Sequence, residues 1–286
     1  MCILFLFINP RPKVGEYKLI IVNNRDEFYN RPTKPAHFWD DTIVGGMDIE
    51  EHCKGGTWLA ASKGGKISCL LNVFQPVNSF TTGKVSRGFL VVDYLNSCKK
   101  GHQYMEEVKN SGKIYNAFNL ITLDPEGNSY DVNFYNSESK VIHQIQPGFH
   151  GFGNSPLMKP FKKVEKGKTM FQDLVNTYGE KEHEEKLITE LFTMMQNKDL
   201  NFPDSQLTEQ GKGHSEQYVK KLSSIWVSCL DANYGTRTTT VILVDKEDQL
   251  VYRERTMQDP VNPESPVWEH NNFTFTIAPA DTCKST

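Results

Sequence analysis

The sequence predicts a mixed α/β protein whose core is two mainly antiparallel sheets flanked by helices. Three observations carry that reading. Short apolar runs with a period of two recur in the first quarter, the middle and the last quarter of the chain. Compact turn sequences, Gly64-Gly65 and Asp124-Pro125-Glu126-Gly127, separate consecutive runs as hairpins require. A block of helical periodicity interrupts the strands, so the order is strands, helices, strands. The 286 residues are 38% hydrophobic, enough for a large core. With no internal repeat and no linker, residues 1–277 read as one domain and 278–286 as a short tail.

The elements follow in order. Ile3 to Ile8 and Tyr17 to Val22 read as strands, then Trp58 to Ser62 and Lys66 to Leu71 around the glycine turn. Ser86 suits the cap of a helix through Val91, Val92 and Leu95, with His102 to Lys109 extending or following it. Strand signals return at Phe118 to Leu123, Tyr130 to Tyr135 and Val141 to Ile145. From Pro160 to Thr177, Val164, Phe171, Leu174 and Val175 fall on one helical side. Glu182 to Gln196 does the same with Leu187, Leu191 and Met194, whose methionines suit packing. Asn197 to Gly213 is polar and reads as a surface loop. Strands resume at Ile225 to Leu230, Thr238 to Val244, Leu250 to Glu254 and Phe273 to Ile277, with a loop at Pro260 to Pro266.

Composition excludes several classes. The 32 basic and 35 acidic side chains give a net charge of -3, so nothing draws the whole surface to nucleic acid or anionic membrane. The lysines at 159, 162, 163, 166 and 168 read as the wet face of a helix. Ile3 to Ile8 lacks a preceding basic residue and meets Pro10, so it is not a secretory signal. No run approaches the ~20 apolar residues that cross a bilayer. Six dispersed cysteines without a CxxC pair argue against a disulfide framework and a zinc knuckle, and for a reducing compartment, cytosol or matrix.

Cys2 is the sharpest chemical candidate. If Met1 is removed, one residue carries both a thiol and a free α-amine, whose ordinary pKa values of ~8.5 and ~8 let one serve as base for the other. A small side chain opening a core strand is the plainer alternative. Asn24-Arg25-Asp26-Glu27 ends the strand begun at Tyr17. There Arg25 offers a bidentate fork for a carboxylate and Asp26 an orienting group for the Cys2 amine, or the four form an ordinary polar turn. Asn72 and Asn154 end apolar runs, where an amide can donate to an oxyanion or simply make a turn. Arg237 lies in a similar setting. Gly55-Gly56-Thr57-Trp58 is a turn into a strand with Trp58 in the core; it has neither Walker nor dinucleotide spacing.

MCILF, NNRDEFYNRP, GGTWLA, YNAFNLI, GFGNSPL and YGTRTTTVILVD, in this order, resemble the transport and Golgi organisation protein 2 family, also called the NRDE family. The resemblance spans residues 1 to about 276. That family is similar in turn to N-terminal-nucleophile hydrolases of the choloylglycine and penicillin acylase type, which implies a four-layer αββα sandwich. It implies Cys2 as nucleophile, Asn72 and Asn154 as oxyanion and substrate asparagines, and Arg237 near the late catalytic arginine. The acidic position falls on Asp26 or Glu27, because Asn24-Arg25-Asp26-Glu27 departs from the Arg-Asn-x-Asp pattern of those enzymes.

The family is associated with lipid and acyl-coenzyme A homeostasis, Golgi organisation and haem movement, and this chain resembles its nematode haem-responsive members. The resemblance therefore implies a cytoplasmic carrier of haem, with haem as cargo and no catalytic cofactor or metal. It would hand haem to acceptor haemoproteins, through transient contact with an organelle membrane, mitochondrial or Golgi. The residues alone add little to that reading. There is no CxxCH site, the eight histidines are scattered, and His52-Cys53 reads first as a polar loop. An apolar cleft with Arg or Lys for the propionates would suffice, and Arg25, Arg237, Phe28 and Trp39 are of the right types. The alternative is an amide or acyl-thioester hydrolase using Cys2; a secretory-pathway adaptor ranks behind both, since only the short tail resembles a docking segment.

Overall fold

The structure is a computed structural model, and it describes residues 1–79 and 84–278. The chain opens with strands β1 (Ile3–Ile8), β2 (Tyr17–Phe28), β3 (Thr33–Trp39), β4 (Ile43–Asp48), β5 (Leu59–Ser62) and β6 (Ile67–Asn72). Helices α1 (Phe89–Asn96) and α2 (Gly101–Asn110) lead to β7 (Phe118–Glu126), β8 (Ser129–Asn136), β9 (Val141–Ile145) and β10 (Gly148–Phe152). Then come α3 (Lys162–Tyr178), α4 (Glu184–Met194), α5 (Ser205–Gln210) and α6 (Glu216–Lys221). The chain returns to strands at β11 (Ser228–Cys229), β12 (Tyr234–Asp245), β13 (Gln249–Met257) and β14 (Trp268–Thr276).

One sheet runs β10-β1-β2-β12-β13-β14, with β11 added beside β12; the other takes β3 to β9 in chain order. All pairings are antiparallel. The layers follow from strand alternation. Leu4, Leu6, Leu19, Ile21, Ile242 and Tyr252 face Val44, Leu59, Ile67, Cys69, Ile121 and Phe134 in a core between the sheets. Their neighbours Ile3, Phe5, Ile20, Val22, Val241 and Leu243 pack outward on α3, α4, α5 and α6. Ile43, Ala60, Leu70, Phe118 and Leu120 pack outward on α1 and α2. The result is the four-layer αββα sandwich.

Several elements depart from the sequence reading. β3 and β4 escape it because Pro35 and Gly45-Gly46 look like breakers. The glycines are there for close approach: a Cβ at Gly45 would lie 2.7 Å from Ala60 Cβ, and one at Gly46 2.3 Å from the Trp58 ring. The loop expected over 197–213 contains α5, capped by the Asp204 side chain, and α6 follows it with a Ser215 cap. Of Ile225 to Leu230 only Ser228–Cys229 pairs as strand; Ile225 and Val227 are apolar because they pack against the helices. Ser86 does not cap α1, which starts after Gly88 without a side-chain cap. Asn24 to Glu27 do not form a turn. They continue β2, because β12 pairs with it through Phe28, while β1 pairs as far as Asn24. Cys2, Cys53, Cys69 and Cys229 are free thiols, but Cys98 is disulfide-bonded, contrary to the expectation of a fully reduced set. Beyond Ala278 the expected tail lies outside the described residues. Among the described residues no helix is long and apolar enough to cross a membrane.

A carboxyl clasps the two sheets. Glu254 of β13, buried between them, accepts from Ala36 N–H of β3 at 2.7 Å and from the Thr240 and Tyr252 hydroxyls at 3.3 and 3.4 Å. Burial pushes its carboxyl up to about 7 from an ordinary 4.5. The folded protein therefore holds this proton more tightly than the unfolded chain. The associated stability is complete below pH 4.5 and is lost as pH rises through about 7, amounting to about 3 kcal/mol. Glu254→Gln keeps an acceptor for Ala36 and removes the titration. Urea unfolding of the variant is expected to show that much less loss between acid and mildly alkaline pH; identical pH profiles for the two proteins would refute the clasp's titration.

Candidate functional site

The two sheets part where β1 begins and β2 and β6 end, and the gap is a cleft with two lobes. The first, about 260 Å³, is lined by Cys2, Arg25, Trp58, Cys53 and the 84–88 segment. The second, about 390 Å³, is lined by Met1, Phe28, Phe74, Asn154, Tyr218 and Tyr234. Asp26, Glu27, Arg31, Asn72 and Arg87 border both.

Alternation decides which groups meet. On β1, Cys2 shares the inter-sheet face with Leu4 and Leu6, while Met1 shares the helix face with Ile3 and Phe5. On β2, Arg25 falls on the side of Leu19 and Ile21, and Asn24 and Asp26 on that of Ile20 and Val22. The Cys2 thiol therefore touches only the Asp26 backbone, with the Asp26 N–H 3.4 Å from Sγ and the carbonyl oxygen 3.7 Å away. The Asp26 carboxylate instead serves the chain's first amine: Met1 N lies 3.5 Å from Oδ2, and Thr236 Oγ1 donates to Oδ1 at 2.6 Å. Met1 N also donates to the Tyr234 hydroxyl, which donates in turn to the Asp26 carbonyl at 3.2 Å.

Behind this group lies Lys163 of α3, fully buried, donating to Ser224 O at 3.0 Å and reaching Met1 O at 3.5 Å. Burial lowers its pKa, and the nearby Asp26 opposes that. Burial likewise raises the Asp26 carboxyl, against the pull of the amine and Lys163. The Cys2 thiol is pushed up by burial, with the amine pulling it down, so at neutral pH it is a thiol rather than a ready nucleophile.

On the cleft side, the Arg25 guanidinium lies over the Trp58 ring at 4.2 Å, and its nearest carboxylate, Glu27, is 3.9 Å away. Its Nη1 is buried without a hydrogen-bond partner. Arg87 gives one bond to Ala117 O at 3.0 Å; burial, with Arg31 adding to it against Glu27, lowers its pKa to about 10. Arg31 is held by Asp48 at 2.7 Å. Asn154 donates through Nδ2 to Asn72 O, its Oδ1 is unpartnered, and the Asn72 side chain is exposed in the cleft.

The cleft thus gathers Cys2, Arg25, Asp26, Glu27, Asn72 and Asn154 from the sequence-predicted set. Two members are elsewhere. Asn24 lies on the helix face and is fully engaged, donating to Met195 O at 2.8 Å and Ile225 O at 3.1 Å and accepting from Thr239 at 2.7 Å. Arg237 occupies a bulge between Thr236 and Thr238. There it turns to the Phe28 carbonyl (3.2 Å), the Arg31 carbonyl and Asp259, and so buttresses the β2–β3 turn without lining either lobe. Trp39 donates to Gly45 O on the second sheet, away from the cleft, and His52 is exposed. Sequence reasoning missed Arg87, Tyr234, Thr236, Lys163 and Phe74. Tyr234 and Thr236 sit inside the quoted YGTRTTT, but Lys163 was masked by its run of lysines.

Fold and site define a four-layer αββα protein with a cysteine at the head of an interior strand. A family profile, Transport and Golgi organisation 2, matches residues 1–259. The Transport and Golgi organization 2 homolog of Mus musculus is 37% identical over 97% of this chain and 99% of its own. Its Homo sapiens counterpart is 35% identical with the same coverage, and that of Drosophila melanogaster 34% over 90% of this chain and 92% of its own. The chain belongs to this family. Among solved structures, a mutant conjugated bile acid hydrolase from Clostridium perfringens aligns over 98% of both chains, with a TM-score of 0.48 and 10% identity.

The buttress role of Arg237 has a direct test. Arg237→Met leaves the Phe28 and Arg31 carbonyls without that donor and is expected to cost about 2–4 kcal/mol in urea unfolding. The affinity of any ligand found to enter the cleft should stay within about twofold of wild type. Loss of binding at unchanged stability would return Arg237 to the site.

Proposed function

We propose that this protein is a carrier of amphipathic anionic small molecules, with haem as its cargo, moving them from membranes or organelles to acceptor proteins. One observation carries the reading: Arg25, whose Nη1 is buried without a hydrogen-bond partner, lines a polar lobe that shares five bordering residues with an aromatic one. Such an N–H is costly to leave unpaired. A carboxylate or phosphate between Arg25 and Arg87 would satisfy it, while a flat or aliphatic body filled the space beside Phe28, Phe74 and Tyr218. Haem propionates have this chemistry, and so do the phosphates of acyl-coenzyme A. The family resemblance supports haem as cargo, acceptor haemoproteins as partners and brief contact with mitochondrial or Golgi membranes. Release to an acceptor suits a site that holds its ligand by charge and stacking.

A second reading, amide or acyl-thioester hydrolysis through Cys2, is favoured by the thiol's place in the same cleft as the Asn72 amide. It requires removal of Met1, so that the amine beside Asp26 becomes that of Cys2. Against it stand the raised thiol pKa and the Asp26 carboxylate on the opposite face of the sheet from Sγ.

Titration of the purified protein with haem and with acyl-coenzyme A, followed by transfer to an apo-haemoprotein, separates the two. Arg25→Met and Arg87→Met should each weaken binding by about tenfold or more, as loss of a charged hydrogen bond does, and Cys2→Ala should leave transfer largely intact. Unchanged binding in both arginine variants would overturn the carrier reading. Cysteine-dependent turnover, with a mass lacking Met1 in protein from the native host, would replace it with the hydrolase.

A further inference from the structure

A third cavity, about 570 Å³, lies beyond the aromatic lobe. Its wall carries Cys229 and Ala232 with a polar rim of Ser215, Gln217, Lys221 and Asp231, the last two paired at 2.8 Å, and it opens to solvent on that rim. Three residues border both this cavity and the aromatic lobe: Phe28, His214 and Tyr218. The two spaces are therefore neighbours separated by rings.

His214 is the central ring of that partition. Its faces are taken by Phe74, 5.2 Å away and tilted by 28°, and by Tyr218, 5.3 Å away at 31°. The chain enters it through Gly213, whose φ of +90° allows the tight turn between α5 and α6. Among the described residues its backbone N–H bonds Gly211 O at 3.0 Å, while the ring makes only its stacking contacts. Phe28 completes the wall edge-on to Tyr234, with centroids 5.4 Å apart, and is itself 49% exposed. These stacked rings, with no hydrogen bond to the His214 ring among the described residues, stand between the aromatic lobe and the third cavity.

Building on the carrier reading, we propose that His214 is the length-determining residue of the ligand site. The third cavity is then a subsite for the distal, apolar end of an elongated ligand, closed off while the ring stays between Phe74 and Tyr218. The cation-lined lobe takes the anionic head, the aromatic lobe takes the body, and His214 sets where the body must end.

The test uses straight-chain alkanoates, octanoate, dodecanoate and hexadecanoate, displacing anilinonaphthalene sulfonate from the full-length protein. Each methylene newly buried adds about fourfold in affinity. In wild type this gain should stop once the first two lobes are filled. In His214→Ala it should continue into the third cavity, raising the hexadecanoate-to-octanoate affinity ratio by about tenfold or more. Adding Ala232→Trp to His214→Ala refills the cavity and should return the ratio to the wild-type value. His214→Ser serves as a second opening if the alanine variant melts early. An unchanged ratio in a folded His214 variant, or one that Ala232→Trp does not reverse, overturns the partition and leaves the carrier reading standing. Failure of every alkanoate and of the sulfonate to bind wild type overturns the length role of His214, while the haem titration above decides the carrier reading on its own.

Discussion

The backbone pairing of β1 between β2 and β10 is the constraint on which the rest of the molecule depends. It fixes a register in which Ile3 faces Asn24 and Leu4 faces Phe152. With a side-chain period of two, that register sends odd and even residues to different layers. A slip of one residue would carry Cys2 from the cleft to the helices and exchange the surroundings of Arg25 and Asp26. Cleft chemistry and core packing are thus set together, by the same hydrogen bonds.

The electrostatics follow from this division. On the helix face, the Met1 amine, Asp26 and Lys163 form a buried group of charges whose desolvation each partner partly offsets. On the opposite face stand the arginines, with Arg25 stacked on Trp58 and Arg237 lowered in pKa by burial, with Arg25 adding to it. Three residues that line the cleft each carry a buried polar atom without a partner: Arg25 Nη1, Trp58 Nε1 and Asn154 Oδ1. A protein interior normally pairs such groups. Others of the kind lie away from the cleft, at Thr122, Asp124 and Tyr130 among them.

Much of this was legible in the sequence, for identifiable reasons. β1 and β7 announce themselves as short apolar runs buried on both faces, and α3 and α4 by helical spacing, because each of these helices buries one face. The site could be read where a polar residue ended an apolar run, as at Asn72 and Asn154. Reading failed where one residue had two duties. Gly45 and Gly46 look like breakers yet serve close strand contact. Asn24 to Glu27 look like a turn because four polar residues in a row seldom continue a strand, and the pairing with β12, far off in sequence, allows it. Arg237 looked like a cleft residue because a bulge, which shifts alternation by one, leaves no mark in composition. Lys163 sat among surface lysines, and nothing local distinguishes the one that faces inward.

The link from Asn154 Nδ2 to the Asn72 backbone has a consequence for selectivity. It ties the segment after β10, in one sheet, to the end of β6, in the other, across the mouth of the gap. The separation of the walls is therefore set by a bond between the two sheets and not by either sheet alone. On the carrier reading proposed above, a guest of greater girth would have to break that bond and pry apart a close-packed sandwich. Discrimination at this mouth would then be by calibre.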